Sequence, residues 1–154
     1  MLRQIISSAV SVLITALILG CSSSGPSEIH YGQDLCEYCQ MMIADKSFGS
    51  ELVTTKGKIY KFDSIECLAA FHHNLAGQAP DSTSLWVSDF LHPGTFVRGD
   101  KATIVRSEKQ KSPMGAGFVA FRSNENAKAF LADVGGTIIT WSEICNTVTK
   151  EWKL

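Results

Sequence analysis

The sequence predicts an α+β protein in which two related ββαβ units pack together. Three observations lead to this prediction. Short segments with alternating apolar residues indicate strands, and longer segments carry apolar residues at the spacing of a helix face. The same order of elements also occurs once in each half of the 154 residues.

The first half contains a predicted hairpin, a helix and a further strand. Residues 50–55 and 58–62 have strand character, and the Lys-Gly pair between them suits a tight turn. Asp63 or Ser64 can cap the helix that follows, whose apolar side chains lie near one face. Residues 85–90 form the next predicted strand.

The second half repeats this order and adds a short helix. Residues 102–106 and 117–121 are predicted strands, and residues 124–134 are a predicted helix with a serine at its cap position and two glycines after its end. Residues 137–141 are the final predicted strand. A last helix is predicted over residues 142–148.

Identical residues in the two halves indicate that the unit is duplicated. A shift of 59 positions aligns five identical pairs across a strand end, a helix cap and a helix face. These pairs are Phe62 and Phe121, Ser64 and Ser123, Glu66 and Glu125, Ala70 and Ala129, and Phe71 and Phe130.

The N-terminal segment has the features of an export signal. Arg3 precedes an apolar run over residues 9–19, which is shorter than the roughly 20 apolar residues that a membrane span needs. The run ends in Ile-Leu-Gly-Cys21, which resembles a bacterial lipobox, so we expect cleavage after residues 1–20 and lipidation of Cys21. Residues 21–33 would then be the lipidated cysteine and a flexible tether.

The remaining chain divides into a first ββαβ unit, residues 34–95, and a second unit with the C-terminal helix, residues 96–154. We expect the protein on the periplasmic side of a bacterial membrane, and Ser22 slightly favours the outer membrane. With 14 Lys and Arg against 15 Asp and Glu, the chain has no basic cluster to neutralise phosphates. Nucleic acid is therefore not an expected partner.

A sulfur-rich motif opens the first unit, in which Cys36-Glu-Tyr-Cys39 is followed by Gln40, Met41 and Met42. The two cysteines alone are compatible with a disulfide, with half of a zinc site or with a thioredoxin-like redox pair. The redox interpretation needs the pair at a helix start within a βαβ pattern, and no such pattern follows. None of the three interpretations explains the methionines.

Thioether sulfur favours monovalent copper. It is soft and carries no proton, so it binds Cu(I) well and zinc poorly. Cys39 and Met41 bring a thiolate and a thioether together, and a third sulfur would complete a trigonal site. Met114 is the best candidate, because it lies in a loop with proline and glycine neighbours just before a predicted strand.

Four segments of the chain together resemble the NosL family. They are the lipobox at Cys21, the Cys36-x-x-Cys39-x-Met41 motif, the helix start Phe62-Asp-Ser-Ile-Glu-Cys67, and Ser112-Pro-Met-Gly-Ala-Gly-Phe-Val-Ala-Phe121. The resemblance covers essentially all of the predicted mature chain. It implies a membrane-anchored copper chaperone associated with assembly of nitrous oxide reductase, a periplasmic multicopper enzyme.

The resemblance also implies two related ββαβ units and a Cu(I) site of cysteine and methionine sulfurs. The ligands map onto Cys39, Met41 and Met114. The family often has glycine between the second cysteine and the methionine, and Gln40 departs from this pattern. Met42 is an alternative first thioether.

Other candidate residues have structural interpretations beside the functional ones. Cys36 is either a ligand or a disulfide partner of Cys39. Cys67 is a possible ligand that we expect to be a buried, inert thiol, and Cys145 is expected to be structural. Asp63 is expected to act as a helix cap. The histidines, His30, His72, His73 and His92, are expected to be solvated or locally hydrogen-bonded, with His30 a candidate outer ligand.

These observations predict a protein that is not an enzyme. It would carry Cu(I) at the membrane and transfer it to a copper-accepting periplasmic enzyme or to the assembly proteins of that enzyme. The alternative is a periplasmic thiol–disulfide oxidoreductase that uses Cys36 and Cys39.

Overall fold

A computed structural model describes residues 25–75 and 83–154 of the chain. The predicted signal peptide and Cys21 lie outside these residues. Within them, no helix is both long enough and apolar enough to cross a membrane. The elements are β1 (Ser50–Val53), β2 (Ile59–Phe62), α1 (Ile65–Leu75), β3 (Ser84–Asp89), β4 (His92–Arg98), β5 (Thr103–Arg106), β6 (Phe118–Phe121), α2 (Asn124–Val134), β7 (Thr137–Ile139) and α3 (Trp141–Trp152).

The described strands form one mixed sheet in the order β2-β1-β3-β6-β5-β7, with β4 paired to β3. In each half the first strand lies between the other two and is antiparallel to both. The halves join where β3 runs parallel to β6, with Asp89 opposite Ala120. The structure therefore confirms the predicted α+β class and the two related ββαβ units.

Helices cover both faces of this sheet. On β6, Phe118 and Ala120 belong to the main core, which also contains buried residues of α1 and α3. Val119 and Phe121 point to the opposite face and pack with Ala127 of α2 in a second cluster. All four residues of β6 are buried, as expected for a strand covered on both faces.

The two equivalent serines begin equivalent helices. Ser64 Oγ accepts a hydrogen bond from the Cys67 N–H at 3.3 Å, and Ser123 Oγ accepts one from the Asn126 N–H at 3.2 Å. Each satisfies a backbone donor of the first helical turn. Because Ser64 supplies the cap of α1, the side chain of Asp63 is available for another role.

The structure corrects the predicted boundary between the units. The sequence does not predict β4, because Pro93 and Gly94 argue against a strand. β4 pairs with β3, across a register shift between Ser88 and Asp89, and therefore belongs to the first unit. The predicted boundary at residues 95 and 96 cuts this strand, so the first unit extends to Arg98.

The last helix is longer than predicted, and the strand before it is shorter. The Thr140 hydroxyl accepts a hydrogen bond from the Glu143 N–H at 3.3 Å, and the Glu143 carboxylate accepts one from the Thr140 N–H at 2.8 Å. This capping box starts α3 at Trp141 and leaves only three residues in β7.

The predicted tether is too long. The Ser27 N–H donates to Glu51 Oε2 at 2.8 Å, and the Ser27 hydroxyl donates to Oε1 at 2.9 Å. Ile29 is buried in the main core. The buried side chain of Ile29 and the hydrogen bonds to the buried Glu51 carboxylate therefore hold residues 27–33 on the first unit.

The loop before β6 depends on a glycine at position 117. Gly117 has a φ of +77°, and a Cβ atom there would overlap the Ser107 carbonyl oxygen. Gly115 has a φ of +87°, but a Cβ atom there would meet open space.

We expect Gly117→Ala to lower the free energy of unfolding by about 3 kcal/mol and the control Gly115→Ala by only about 1 kcal/mol, both measured by urea unfolding. Equal losses would contradict the close approach at Gly117.

Candidate metal centre

The sulfur motif folds into a small hairpin. Leu35 and Met42 form an antiparallel bridge, and the Cys36 N–H donates to the Met41 carbonyl at 2.8 Å. The Gln40 N–H closes the loop by donating to the Cys36 carbonyl at 3.0 Å. Cys36 therefore stands at the base of the hairpin, and Cys39 lies in its loop.

Three contacts fix this hairpin on the domain. The Glu37 N–H donates to the Lys61 carbonyl of β2 at 2.8 Å, and Lys61 Nζ lies 2.7 Å from Asp34 Oδ2. Tyr38 stacks on Trp152 at the end of α3, with ring centroids 5.6 Å apart. The hairpin thus lies on the outer strand β2 and also contacts the second unit.

Four potential ligands meet where the hairpin faces the start of α1. One ligand atom from each of Cys36, Cys39, Asp63 and Cys67 lies within 4.8 Å of all the others. The Cys39 thiol donates to Asp63 Oδ2 at 3.5 Å. Cys36 and Cys67 are fully buried, whereas Cys39 is only partly buried. The cluster therefore has a closed side and a side that solvent can reach.

Hydrogen bonds stabilise a thiolate at Cys36. The Cys67 thiol, followed by the backbone N–H groups of Cys39 and Asp63, lowers the pKa of Cys36 to about 6. Burial raises the pKa of Cys39 to about 11. The pKa of Cys67 is also raised, chiefly because its proton is held in the hydrogen bond to Cys36. Of these three thiols, the buried one at the base of the hairpin therefore loses its proton most readily.

The hairpin register distinguishes the two neighbouring methionines. Cys36 faces Met41 across the hairpin, and Leu35 faces Met42. Facing residues share a side of a β-pair, and successive residues alternate. Met41 is therefore on the side of the Cys36 thiol, whereas Met42 is on the other side with Leu35. Both methionines are about half exposed.

The loop that carries Met114 is bound to the first turn of α1. The hydroxyl group of Ser112 donates to Glu66 Oε1, and the Ala116 N–H donates to the same oxygen at 3.2 Å. Met114 is partly buried and packs against the main core, to which Cys36 and Cys67 belong. Glu66 directly precedes Cys67, so the loop is held at the helix turn that supplies part of the thiol cluster.

The structure separates the remaining candidates from the thiol cluster. Cys145 lies on α3, and in the described residues none of the four cysteines forms a disulfide. His72 packs edge-on against Trp141, with ring centroids 5.9 Å apart, and His92 Nδ1 lies 2.8 Å from Asp89 Oδ2. His30 lies beside Asp34, and His73 is exposed near the end of α1. Within the described chain, these side chains are not part of the cluster.

Sequence reasoning missed two residues of this region. Asp63 is expected to act as a helix cap, but Ser64 performs that role and Asp63 joins the thiols. Glu66 stands out in the sequence only as one of the repeated identities. A glutamate within an otherwise apolar helix start is the signal that could have indicated its burial.

The fold and this cluster define a small α+β protein with a thiol-rich metal-binding centre. The NosL family model matches residues 26–149, and the chain belongs to this family. Its fold is similar to that in the crystal structure of the copper chaperone NosL from Shewanella denitrificans, with a TM-score of 0.61 at 22% sequence identity. The similarity covers 77% of this chain and 94% of that one. No curated protein sequence matches this chain.

Gln40 takes a backbone conformation that favours glycine. Its φ is +62°, and its side-chain amide donates to the Glu37 carbonyl at 2.9 Å.

Gln40→Gly is expected to change the free energy of unfolding by less than about 1 kcal/mol, whereas Gln40→Val should lower it by about 2 kcal/mol because a branched side chain is strained at positive φ. Urea unfolding of both variants tests this, and a valine variant as stable as the parent would contradict the loop geometry.

The Cys36 thiolate gives the stability of the metal-free protein a pH dependence. The pKa of Cys36 is about 6 in the folded protein and about 8.5 in an unfolded chain. Between these values only the unfolded chain holds the proton, so stability rises with pH and is lost as pH falls through about 6.

We expect thiolate ultraviolet absorbance to appear with a midpoint near pH 6, the folded-state pKa of Cys36. Cys36→Ser should abolish this transition, and Cys145→Ser, which changes a thiol outside the cluster, should leave it unchanged. A transition that persists in Cys36→Ser would contradict the assignment.

Proposed function

We propose that this protein is a membrane-anchored Cu(I) chaperone that delivers copper to a periplasmic copper enzyme, and that nitrous oxide reductase is the enzyme served. The observation that carries the proposal is the convergence of Cys36, Cys39 and Cys67 with Asp63. The hairpin register adds Met41 on the side of the Cys36 thiol. Membership in the NosL family supports it, as does the fold shared with a protein described as a copper chaperone.

The donor set suits monovalent copper. Thiolates and thioethers are soft ligands, and Cu(I) accepts two or three of them. In the proposed site Cys39, Met41 and Met114 bind the ion at the open side of the cluster. Cys36 and Cys67 lie behind them, and the Cys36 thiolate supplies negative charge that a bound cation would neutralise.

The exposure of the ligands suits transfer to a partner. Met41 is 47% exposed, and Cys39 is partly buried at the same side of the hairpin. An incoming sulfur or nitrogen atom of the partner can therefore reach the ion before the chaperone's ligands have left. Exchange of ligands in this manner needs no general acid, general base or nucleophile.

The thiol–disulfide oxidoreductase alternative fits the geometry poorly. A redox cysteine pair needs an accessible thiolate as its nucleophile. Here Cys36, with the lowered pKa, is 0% exposed, whereas the more accessible Cys39 has a raised pKa. The structurally similar NosL from Shewanella denitrificans is described as a copper chaperone, which agrees with this arrangement.

The proposed location follows from the N-terminal sequence. Cleavage before Cys21 and lipidation of that residue would hold the domain on the periplasmic side of a bacterial membrane. Mass spectrometry of the protein purified from bacterial membranes would test this. A Cys21→Ala variant that remains bound to membranes would contradict the lipid anchor.

A Cu(I) titration tests the proposed site. The reduced full-length protein is titrated against a Cu(I) chelator and is expected to bind one equivalent tightly. Cys39→Ser and Met114→Ala should each weaken binding at least about tenfold, or about 1.4 kcal/mol, because each removes a soft ligand. Met42→Ala is the matched control for Met41→Ala, because Met42 is similarly exposed but lies on the other side of the hairpin.

Two outcomes would reject these assignments. Unchanged affinity in both Cys39→Ser and Met114→Ala would reject the ligand set. Thiol–disulfide exchange that is catalysed by the protein and unaffected by Met41→Ala and Met114→Ala would favour the oxidoreductase. The proposal that nitrous oxide reductase is the enzyme served is tested by copper transfer. The copper-loaded protein is mixed with copper-free nitrous oxide reductase, and equimolar free Cu(I) is the comparison.

A further inference from the structure

We propose that Glu66 is a positioning residue of the copper site, whose buried carboxyl group clamps the Met114 loop to the helix turn that carries Cys67. The inference rests on the proposed function, because it assigns Met114 a copper ligand's role. Glu66 itself would not touch the ion. It would set where the Met114 thioether stands relative to the thiols.

The hydrogen bonds around Glu66 reach both ends of the loop. The Ser112 hydroxyl and the Ala116 N–H donate to Glu66 Oε1, so the bonded residues lie on either side of Met114. The Ser112 oxygen also accepts from the Gly117 N–H at 2.9 Å, and the Ser112 carbonyl accepts from the Gly115 N–H at 3.0 Å. Met114 is thereby enclosed in a closed turn that is attached to one side chain.

The burial of Glu66 indicates that its hydrogen bonds to the Met114 loop have a role beyond packing. Glu66 is 0% exposed, and its second oxygen, Oε2, has no hydrogen-bond partner among residues 25–75 and 83–154. Burial raises the pKa of its carboxyl group. A carboxyl group in the core destabilises the fold unless its hydrogen bonds compensate, so an apolar residue would serve better at this position if packing were the only requirement.

The second unit provides a natural comparison. Glu125 occupies the equivalent position in α2, and both helices are capped by an equivalent serine. Glu125 is exposed and within the first turn of its helix. The repeated glutamate therefore meets the ordinary preference for acidic residues at a helix start in both units. Among the residues that the structure describes, only Glu66 also binds a loop of the other unit.

Glu66 lies close in the chain to two members of the thiol cluster. Cys67 is the next residue, and Asp63 lies one residue before the cap of the same helix. A rigid first turn thus carries two members of the thiol cluster and the anchor of the Met114 loop. Residues that hold metal ligands in place are commonly worth about 10- to 100-fold in metal affinity.

The test compares Cu(I) affinity among four variants of the reduced full-length protein. Glu66→Leu and Ser112→Ala remove the two partners of the clamp, and each is expected to weaken binding about 10- to 100-fold. Glu66→Gln keeps a carbonyl acceptor for Ser112 and Ala116 and should restore most of the affinity. Glu125→Leu is the matched control and should bind copper as the parent does.

Two further measurements separate positioning from a general loss of structure. Hydrogen exchange at the amides of Ala116 and Gly117 in the copper-free protein should accelerate in Ser112→Ala and not in Glu125→Leu. Combining Ser112→Ala with Met114→Ala should weaken copper binding no further than Met114→Ala alone, because the clamp acts through that thioether. If Glu66→Leu does not fold, Ser112→Ala alone is used for the comparisons of copper affinity and hydrogen exchange.

The outcomes distinguish this inference from the proposed function. Additive losses in the double variant, or unchanged affinity in Ser112→Ala, would overturn the positioning role while leaving tight copper binding intact. Tight binding that Met114→Ala does not alter would overturn it as well. Failure of the parent protein to bind Cu(I) would reject the copper chaperone and, with it, the positioning role of Glu66. Hydrogen exchange would then show only whether Glu66 and Ser112 hold the Met114 loop in the copper-free protein.

Discussion

The hydrogen bonds to the buried Cys36 sulfur are the interaction on which the site depends. A thiolate is costly in the core unless fixed donors replace its water, and here the Cys67 thiol and two backbone N–H groups do so. One of these N–H groups belongs to Asp63 and another to Cys39. The hairpin and the start of α1 must therefore be packed together for these donors to reach the sulfur, and the candidate metal site depends on that packing.

The second unit completes that arrangement from outside the cluster. Its last helix supplies Trp152, on which Tyr38 of the hairpin stacks, and its loop at residues 112–117 is bound by Glu66. The two ββαβ units are thus joined at the site by side chains and at the sheet by the β3–β6 pair. The two units have similar backbones, and the residues that differ between them place the candidate metal centre in the first unit.

The sequence predicted the fold better than the site, and the reason is the range of the interactions involved. Local signals defined α2 at both ends, because Ser123 caps it and glycines follow it. The capping box at Thr140 is equally local, but strand character in the preceding residues competes with it, so the sequence does not predict this helix start. Cys67 and Asp63, by contrast, meet the hairpin through long-range contacts, such as that of Glu37 with Lys61 of β2, 24 residues along the chain, and no local pattern reveals these contacts.

In the proposed copper site, the division of the cluster into a buried and an exposed side would reconcile affinity with release. Ligands that are wholly enclosed would hold copper but would give a partner no point of attack, whereas wholly exposed ones would lose it to any competing thiol. Cys36 and Cys67 are shielded from solvent and fix the charge, and Cys39 and Met41 stand at the opening. Because a thioether carries no charge and takes no proton, its departure leaves no buried anion behind. In the proposed mechanism, methionine at the exposed side would make the first step of transfer the least costly one, and the thiolates would need to release the ion only after the partner has bound it.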